Sequence, residues 1–246
     1  MKSFTSAGLE KIALITDIHG NAPALQAVLA ELDRRGIDRI YSLGDVIGIG
    51  PDSNEAIELL MNRPNLHYVS GNHEDAVLAA YEGRPAPAGH EGEREHHAWL
   101  AARLNPAYAK VMASWPRQLE MEIEGRKLLF THYHTDRQGS FLPINAAPSI
   151  EALDAMYLDT PYDLIAFGHH HIVHEFCSDQ RMYFNPGALG CGGAVARFGV
   201  IEIDPTGISA ETVGVPYDNS AFLRAYHELG VPDADFILRI FHGVGN

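Results

Sequence analysis

The 246-residue sequence predicts an α/β fold, a four-layer α/β/β/α sandwich in which two mixed β-sheets are flanked by helices. Two observations carry that expectation. From Lys11 to Ser70, short apolar runs alternate with stretches of helical periodicity, the pattern of parallel strands with covering helices. Beyond Trp115 a hairpin, a further helix and several short strand-like runs follow, enough for a second sheet. No repeat, low-complexity tract or linker divides the chain. Residues 1–246 therefore read as one domain, with residues of about 76–118 as a helical, cap-like insertion.

Taken in order, Lys11 to Thr16 is a short apolar run that suits a strand buried on both faces. Ala22 to Arg35 sets Leu25, Val28, Leu29 and Leu32 at helical spacing, and Gly36 stops it. Asp38 to Leu43 reads as a second strand, Glu55 to Met61 as a helix and Leu66 to Ser70 as a third strand. The stretch from about Ala76 to Ser114 reads as helix interrupted by a Gly- and Pro-rich loop between Arg84 and Gly92. Leu119 to Ile123 and Lys127 to Thr131 flank Gly125 as a hairpin. Ile150 to Leu158 is a helix and Asp163 to Phe167 a buried strand. Met182 to Phe184, Phe198 to Ile203 and Ile208 to Val213 add strand-like runs, and Phe222 to Leu229 a helix.

The composition narrows the function. A hydrophobic content of 46% with 20% charged residues is that of an ordinary globular protein. The net charge of -14 argues against nonspecific nucleic-acid binding, which needs a basic stripe to displace counterions. It does not argue against a small phosphorylated substrate, because bound cations reverse the field inside a site. Cys177 and Cys191 are too few for a disulfide framework and suit two thiols in a reducing compartment. Met1 to Glu10 lacks the apolar core of a signal peptide, and no apolar run approaches a membrane span. A cytoplasmic protein with no membrane partner is the expectation.

Chemistry enters through short clusters, each placed after an apolar run: Asp17-Ile18-His19, Gly44-Asp45, Gly71-Asn72-His73-Glu74, His132, and Gly168-His169-His170-His171. The crevice at the carboxyl ends of parallel strands is where open α/β sheets build sites. Asp, Asn and His are donors that hard-to-borderline divalent cations prefer, and there are enough for two ions sharing one carboxylate. Asp45 suits the bridge, since Gly44 lets the backbone turn sharply before it. Asp17 and His19, two apart on an extended segment, would point to one side, as would His169 and His171, with His170 turned away. His132 and the Asn72 amide oxygen complete seven protein ligands. Two adjacent cations are a device for attacking phosphate esters.

These blocks resemble, in type and order, the calcineurin-like metallophosphoesterases: Asp-x-His, Gly-Asp, Gly-Asn-His-Asp/Glu, a lone His and Gly-His-x-His, here across residues 17 to 171. Asp17 to Leu25, Gly48-Ile49-Gly50-Pro51 and Asn185-Pro186-Gly187-Ala188 are similar to the bacterial phosphodiesterase-like branch, so the likeness spans most of the chain. Several short blocks in order are far more specific than any one motif. The resemblance implies one ion held by Asp17, His19, Asp45 and His171, and another by Asp45, Asn72, His132 and His169. It implies a water or hydroxide bridging the two ions as nucleophile, attacking phosphorus in line with the leaving oxygen. His73 would give the leaving oxygen its proton, and Glu74, where Asp is more frequent, would orient His73. Mn²⁺, Fe, Ni²⁺ and Zn²⁺ all suit such a mixed N/O site. The resemblance favours His132 over His134 as the lone ligand.

Duller readings exist. Asp17, Asp45 or Asn72-His73 could each be ordinary turn chemistry if met alone. His90, His96 and His97, with Glu91, Glu93, Arg94 and Glu95, read first as a solvated helix face and second as a substrate-facing cap. His174 reads as a surface residue. Within the same fold, a diadenosine tetraphosphatase or a Ser/Thr protein phosphatase competes. Those relatives resemble one another in an Arg shortly after Gly-Asp that clamps phosphate, and Ile49 stands at that place here. A non-catalytic binding scaffold is the competitor from another class, and it usually loses ligands that this chain keeps.

Overall fold

In the computed structural model, which describes residues 8–136, 138–145 and 147–245, the first apolar run forms β1 (Glu10–Ile15). Alternation along this strand divides the core. Ile12 and Leu14 face a core between two sheets, while Ala13 and Ile15 face helices. Helix α1 (Ala22–Arg35) starts under an Asn21 cap that accepts the Ala24 N–H at 3.1 Å and stops at left-handed Gly36. It leads to β2 (Ile40–Ser42), then α2 (Ser53–Met61) and β3 (Leu66–Tyr68). β1, β2 and β3 pair in parallel, with Ile15 opposite Ser42 and Ser42 opposite Tyr68. β9 (Val195–Asp204) joins β1 antiparallel and β10 (Gly207–Pro216) closes a mixed sheet of order β10-β9-β1-β2-β3.

The second sheet has the order β4-β5-β6-β8-β7, made from β4 (Gln118–Ile123), β5 (Arg126–Thr131), β6 (Leu164–Ala166), β7 (Val173–Cys177) and β8 (Met182–Pro186). Its three middle strands are parallel. Leu128, Phe130, Ala166 and Phe184 meet Leu14, Leu43 and Ile201 between the sheets. Leu25, Val28, Ile57 and Leu60 of α1 and α2 cover one outer face, and Leu153 of α6 (Ile150–Met156) covers the other. The four-layer sandwich stands. Both sets of parallel strands bring their carboxyl ends to one region.

Three departures from the sequence reading matter. The edge strand β7 was not foreseen, because its polar, uneven sequence shows only when β8 supplies its hydrogen bonds. A last helix, α8 (Ala234–His242), follows α7 (Ser220–Glu228), and the two pack Phe222, Tyr226, Ile237 and Leu238 against Ile49, Ala188 and Cys191. The helical stretch begins at Asn72, not Ala76: α3 (Asn72–Tyr81) is followed by α4 (Arg94–Ala101) and α5 (Pro106–Met112). The early start has a local cause, since the Gly71 N–H donates to the Glu74 carboxylate at 2.7 Å and closes the first turn. Asn72 and His73 thus sit at a helix N-terminus. Of the polar N-terminal stretch, residues 1–7 lie outside the described residues. Among the described residues, no helix is long and apolar enough to cross a membrane.

Candidate metal centre

The segments after β1, β2, β5 and β6 and the start of α3 bring Asp17, His19, Asp45, Asn72, His73, Glu74, His132, His169 and His171 to one region. The local backbone differs from expectation. Asp17, His19, Asp45, His169 and His171 are not extended but left-handed, with φ of 53°, 50°, 52°, 69° and 59°. Such residues cost of order 1–3 kcal/mol each and persist only where their surroundings over-determine them. Here the surroundings do so: Asp17 N–H donates to Gly44 O at 3.1 Å, His19 N–H to Asp45 O at 2.9 Å and Gly168 N–H to His132 O at 2.8 Å. The paired side chains still converge, through tight turns where alternation along a strand had been expected. Gly71 is required by approach as well, because a Cβ there would collide with the Asp45 carboxylate.

Two groups of donors result. In one, His132 donates its Nδ1–H to Leu43 O at 2.8 Å, which leaves Nε2 as a lone pair. That nitrogen faces Asn72 Oδ1 at 2.8 Å, His169 Nδ1 at 3.2 Å and Asp45 Oδ2 at 3.2 Å. In the other, His19 shares a 3.2 Å contact from Nδ1 to Ile47 O, and its Nε2 faces His171 Nε2 at 2.9 Å, Asp17 Oδ1 at 3.8 Å and Asp45 Oδ2 at 3.8 Å. With the ring nitrogens deprotonated, as a metal ligand's must be, acceptor meets acceptor in both places. A cation is what such convergent lone pairs fit, and a backbone carbonyl holding the remote ring nitrogen is the usual support for a histidine ligand. Asp45 Oδ2 lies between the two groups, while its Oδ1 accepts the His73 N–H at 2.9 Å. The residues present therefore fit divalent metal.

The charges agree. Burial pushes His19 and His169 down to about 4, so both offer neutral nitrogen. Burial opposes the charge on Asp17 and Asp45, but the neighbouring histidines outweigh it and hold both carboxylates below their usual range. Against burial, Asp45 pushes His132 up to about 9. A proton on His132 and a cation at its Nε2 are therefore alternatives.

Glu74 departs from the role the resemblance implies. Its carboxylate accepts backbone N–H groups from Gly71 (2.7 Å), Asp45 (2.8 Å), Val46 (2.8 Å) and Ile47 (3.2 Å) and, among the described residues, makes no hydrogen bond to His73. It anchors the loop that presents Asp45. Burial, and then the charge of Asp45, push Glu74 up to about 7. What faces the His73 ring comes from α4 and its N-cap: His97 Nε2 lies 3.4 Å from His73 Nδ1 and 3.3 Å from Glu93 Oε2. Glu93 also takes His90 Nδ1 at 2.9 Å. His96 and His97 are 5% and 1% exposed, which corrects the solvated-face reading for these two, while Glu91, Glu93, Arg94 and Glu95 are exposed as that reading has them. The Glu93 and His97 spacing, four apart on a helix, was the signal available, but nothing in sequence ties it to His73.

His170 does turn away, bonding Tyr133 Oη at 2.8 Å and His174 Nε2 at 3.0 Å. His174 is buried by that contact, not a surface residue. His134 shares a 2.7 Å hydrogen bond with the Tyr157 hydroxyl and faces away from the donor groups. The cleft is a cavity of about 750 Å³ lined by Asp45, Asn72, His73, His169 and His171 on its floor and by His90, Arg117 and Phe141 on its walls. Arg117 pairs with Asp75 at 2.5 Å and lies over the Phe141 ring at 5.2 Å.

Known proteins share this plan. The model of the calcineurin-like phosphoesterase superfamily domain matches residues 11–205. An uncharacterized protein of Methanocaldococcus jannaschii is 30% identical over 242 residues, covering 89% of this chain and 91% of its own. The phosphodiesterase YfcE of Escherichia coli is 24% identical over 210 residues, 81% of this chain and 91% of that protein. The crystal structure of a metallophosphoesterase from Sphaerobacter thermophilus superposes with a TM-score of 0.68 at 24% identity, over 93% of this chain and 97% of that one. The chain belongs to the metal-dependent calcineurin-like phosphoesterase superfamily and is a hydrolase of phosphoester bonds.

Proposed function

We propose that the chain is a phosphodiesterase working with two divalent cations, one held by Asp17, His19, Asp45 and His171 and one by Asp45, Asn72, His132 and His169. The observation that carries this reading is Asp45 Oδ2, set between the Nε2 atoms of His132 (3.2 Å) and His19 (3.8 Å), each of which also faces further acceptors. When bound, the cations supply Lewis-acid polarisation of phosphoryl oxygens and activation of a water. The protein's own residues orient and protonate. His73 is fixed from behind, with its N–H on Asp45 and Nδ1 toward His97, which leaves Nε2 for the leaving oxygen. Burial holds His73 well below its ordinary range, and an anionic phosphate beside the ring favours the protonated form. His97, met by Glu93, positions that ring.

A small phosphorylated substrate suits the cavity of about 750 Å³. Two observations favour a diester. Ile49 lines the cavity and stands at the sequence position where the resemblance implies a phosphate-clamping arginine in tetraphosphatases and protein phosphatases, and the likeness to the phosphodiesterase YfcE spans most of both chains. Arg117 is the one Arg or Lys among the described lining residues, and Asp75 already engages it. The test is metal analysis combined with hydrolysis of an aryl phosphodiester and an aryl phosphomonoester, with Mn²⁺ supplied. Turnover of the diester above the monoester is expected. Protein that holds two metals and turns over neither sinks the reading.

A further inference from the structure

We propose that the Cys191 sulfur is a ligand of the cation held by His19 and His171, so that this half of the centre is an N/O/S site while the half around His132 is an N/O site. The inference rests on the metal-binding part of the reading above and not on its substrate. The donor atoms of His19, His171 and Cys191 all lie within 4.8 Å of one another. Donors sharing one ion, at about 2.3 Å for sulfur and about 2.0–2.1 Å for nitrogen, stand at most about 4.4 Å apart, so side-chain shifts of a few tenths of an ångström suffice to close the group on an ion. The Nδ1 contact of His19 to Ile47 O orients its Nε2 lone pair toward this group, where His171 Nε2 lies at 2.9 Å. Cys191 is buried, and the other side of its environment is apolar, formed by Ile49, Ala188, Phe222 and Tyr226.

The thiol does not reach this place by chance of a loose loop. The segment after β8 is stitched to the Asp17 turn itself: Leu189 N–H donates to Thr16 O at 3.0 Å, Gly190 N–H to Asp17 O at 2.9 Å and the Asn21 side-chain amide to Gly190 O at 2.8 Å. Gly190 permits the approach, because a Cβ there would collide with the Ile18 carbonyl. Beyond the cysteine, Gly192 N–H donates to Phe241 O of α8 at 2.9 Å. Cys191 is therefore pinned on both sides, beside the ligand pair. On binding, the S–H bond breaks, a sulfur–metal bond forms and the proton leaves to solvent. A thiolate donor shifts selection toward thiophilic ions such as Zn²⁺ and away from Mn²⁺.

Cobalt substitution reads this directly. The metal-free full chain would be loaded with Co²⁺, and near-ultraviolet absorption and bound cobalt recorded for the wild type, Cys191→Ser and the control Cys177→Ser. A sulfur-to-cobalt charge-transfer band is expected in the wild type and in Cys177→Ser and is expected to vanish in Cys191→Ser while cobalt remains at the His132 half. Wild type that binds cobalt without the band overturns the inference alone, as does a band that survives in Cys191→Ser. Wild type that binds no cobalt overturns the metal-binding reading with it. Should Cys191→Ser fail to fold, the wild-type spectrum and the Cys177→Ser control decide between the two cysteines.

Discussion

Glu74→Gln separates two roles for one carboxylate. Oε1 accepts the Val46 and Ile47 N–H groups and Oε2 those of Asp45 and Gly71, all buried. Glutamine keeps one oxygen and turns an NH₂ toward two donors, so at least two bonds are lost and two buried N–H groups go unpaired. At about 1.5–3 kcal/mol for each bond to a charged acceptor, the lost bonds cost roughly 3–6 kcal/mol, offset in part because the neutral amide escapes the burial penalty and the Asp45 repulsion that raise Glu74. For a domain of this size that lowers Tm by on the order of 10 °C. The loop losing its anchor carries Asp45, which faces both donor groups, so metal content falls as well. Thermal unfolding of the metal-free proteins at pH 8, where Glu74 is ionised, measures the first effect, and metal analysis the second. A variant that unfolds within a couple of degrees of the wild type, keeps its metals and loses only turnover would refute this account. It would return Glu74 to orienting His73.

His73→Ala is expected to retain both metals and lose about 10²–10⁴ in turnover. Metal loss in that variant would make His73 a ligand. His97→Ala should slow diesters with poor leaving groups more than activated aryl diesters, since only the former need a well-placed acid; equal loss on both would leave His97 a packing role. Between about pH 6.5 and 9 the metal-free chain should lose stability as pH rises. His132 is raised from 6.5 to about 9, so its pairing with Asp45 contributes fully below pH 6.5 and disappears as pH passes about 9, and Glu74 has the same sign near 7. Tm against pH checks this, and the metal-loaded protein, with His132 neutral, should show a flatter profile. Metal uptake at pH 7.5 should release protons, seen as a buffer-dependent binding enthalpy.

Much of the plan is legible in the sequence, because its signals are local. A buried strand ending in Asp, Asn or His is readable from a few residues, and strand–helix alternation dictates that Asp17, Asp45 and Asn72 share a sheet edge. The layers, the family and the clustering of histidines follow. The parts that were not legible depend on residues far apart. The contact of His19 with His171 spans 152 positions and that of Asn21 with Gly190 spans 169. Nothing in a local window states that the Glu74 carboxylate turns to the backbone, that the Asp17 and His19 backbones are left-handed, or that His97 meets His73. Nor does it place Cys191 beside two histidines. Strand order determined which side chains reach the cleft; only the packing of one loop on another decided which atom of each faces inward, because orientation is set by hydrogen bonds whose partners lie on different elements.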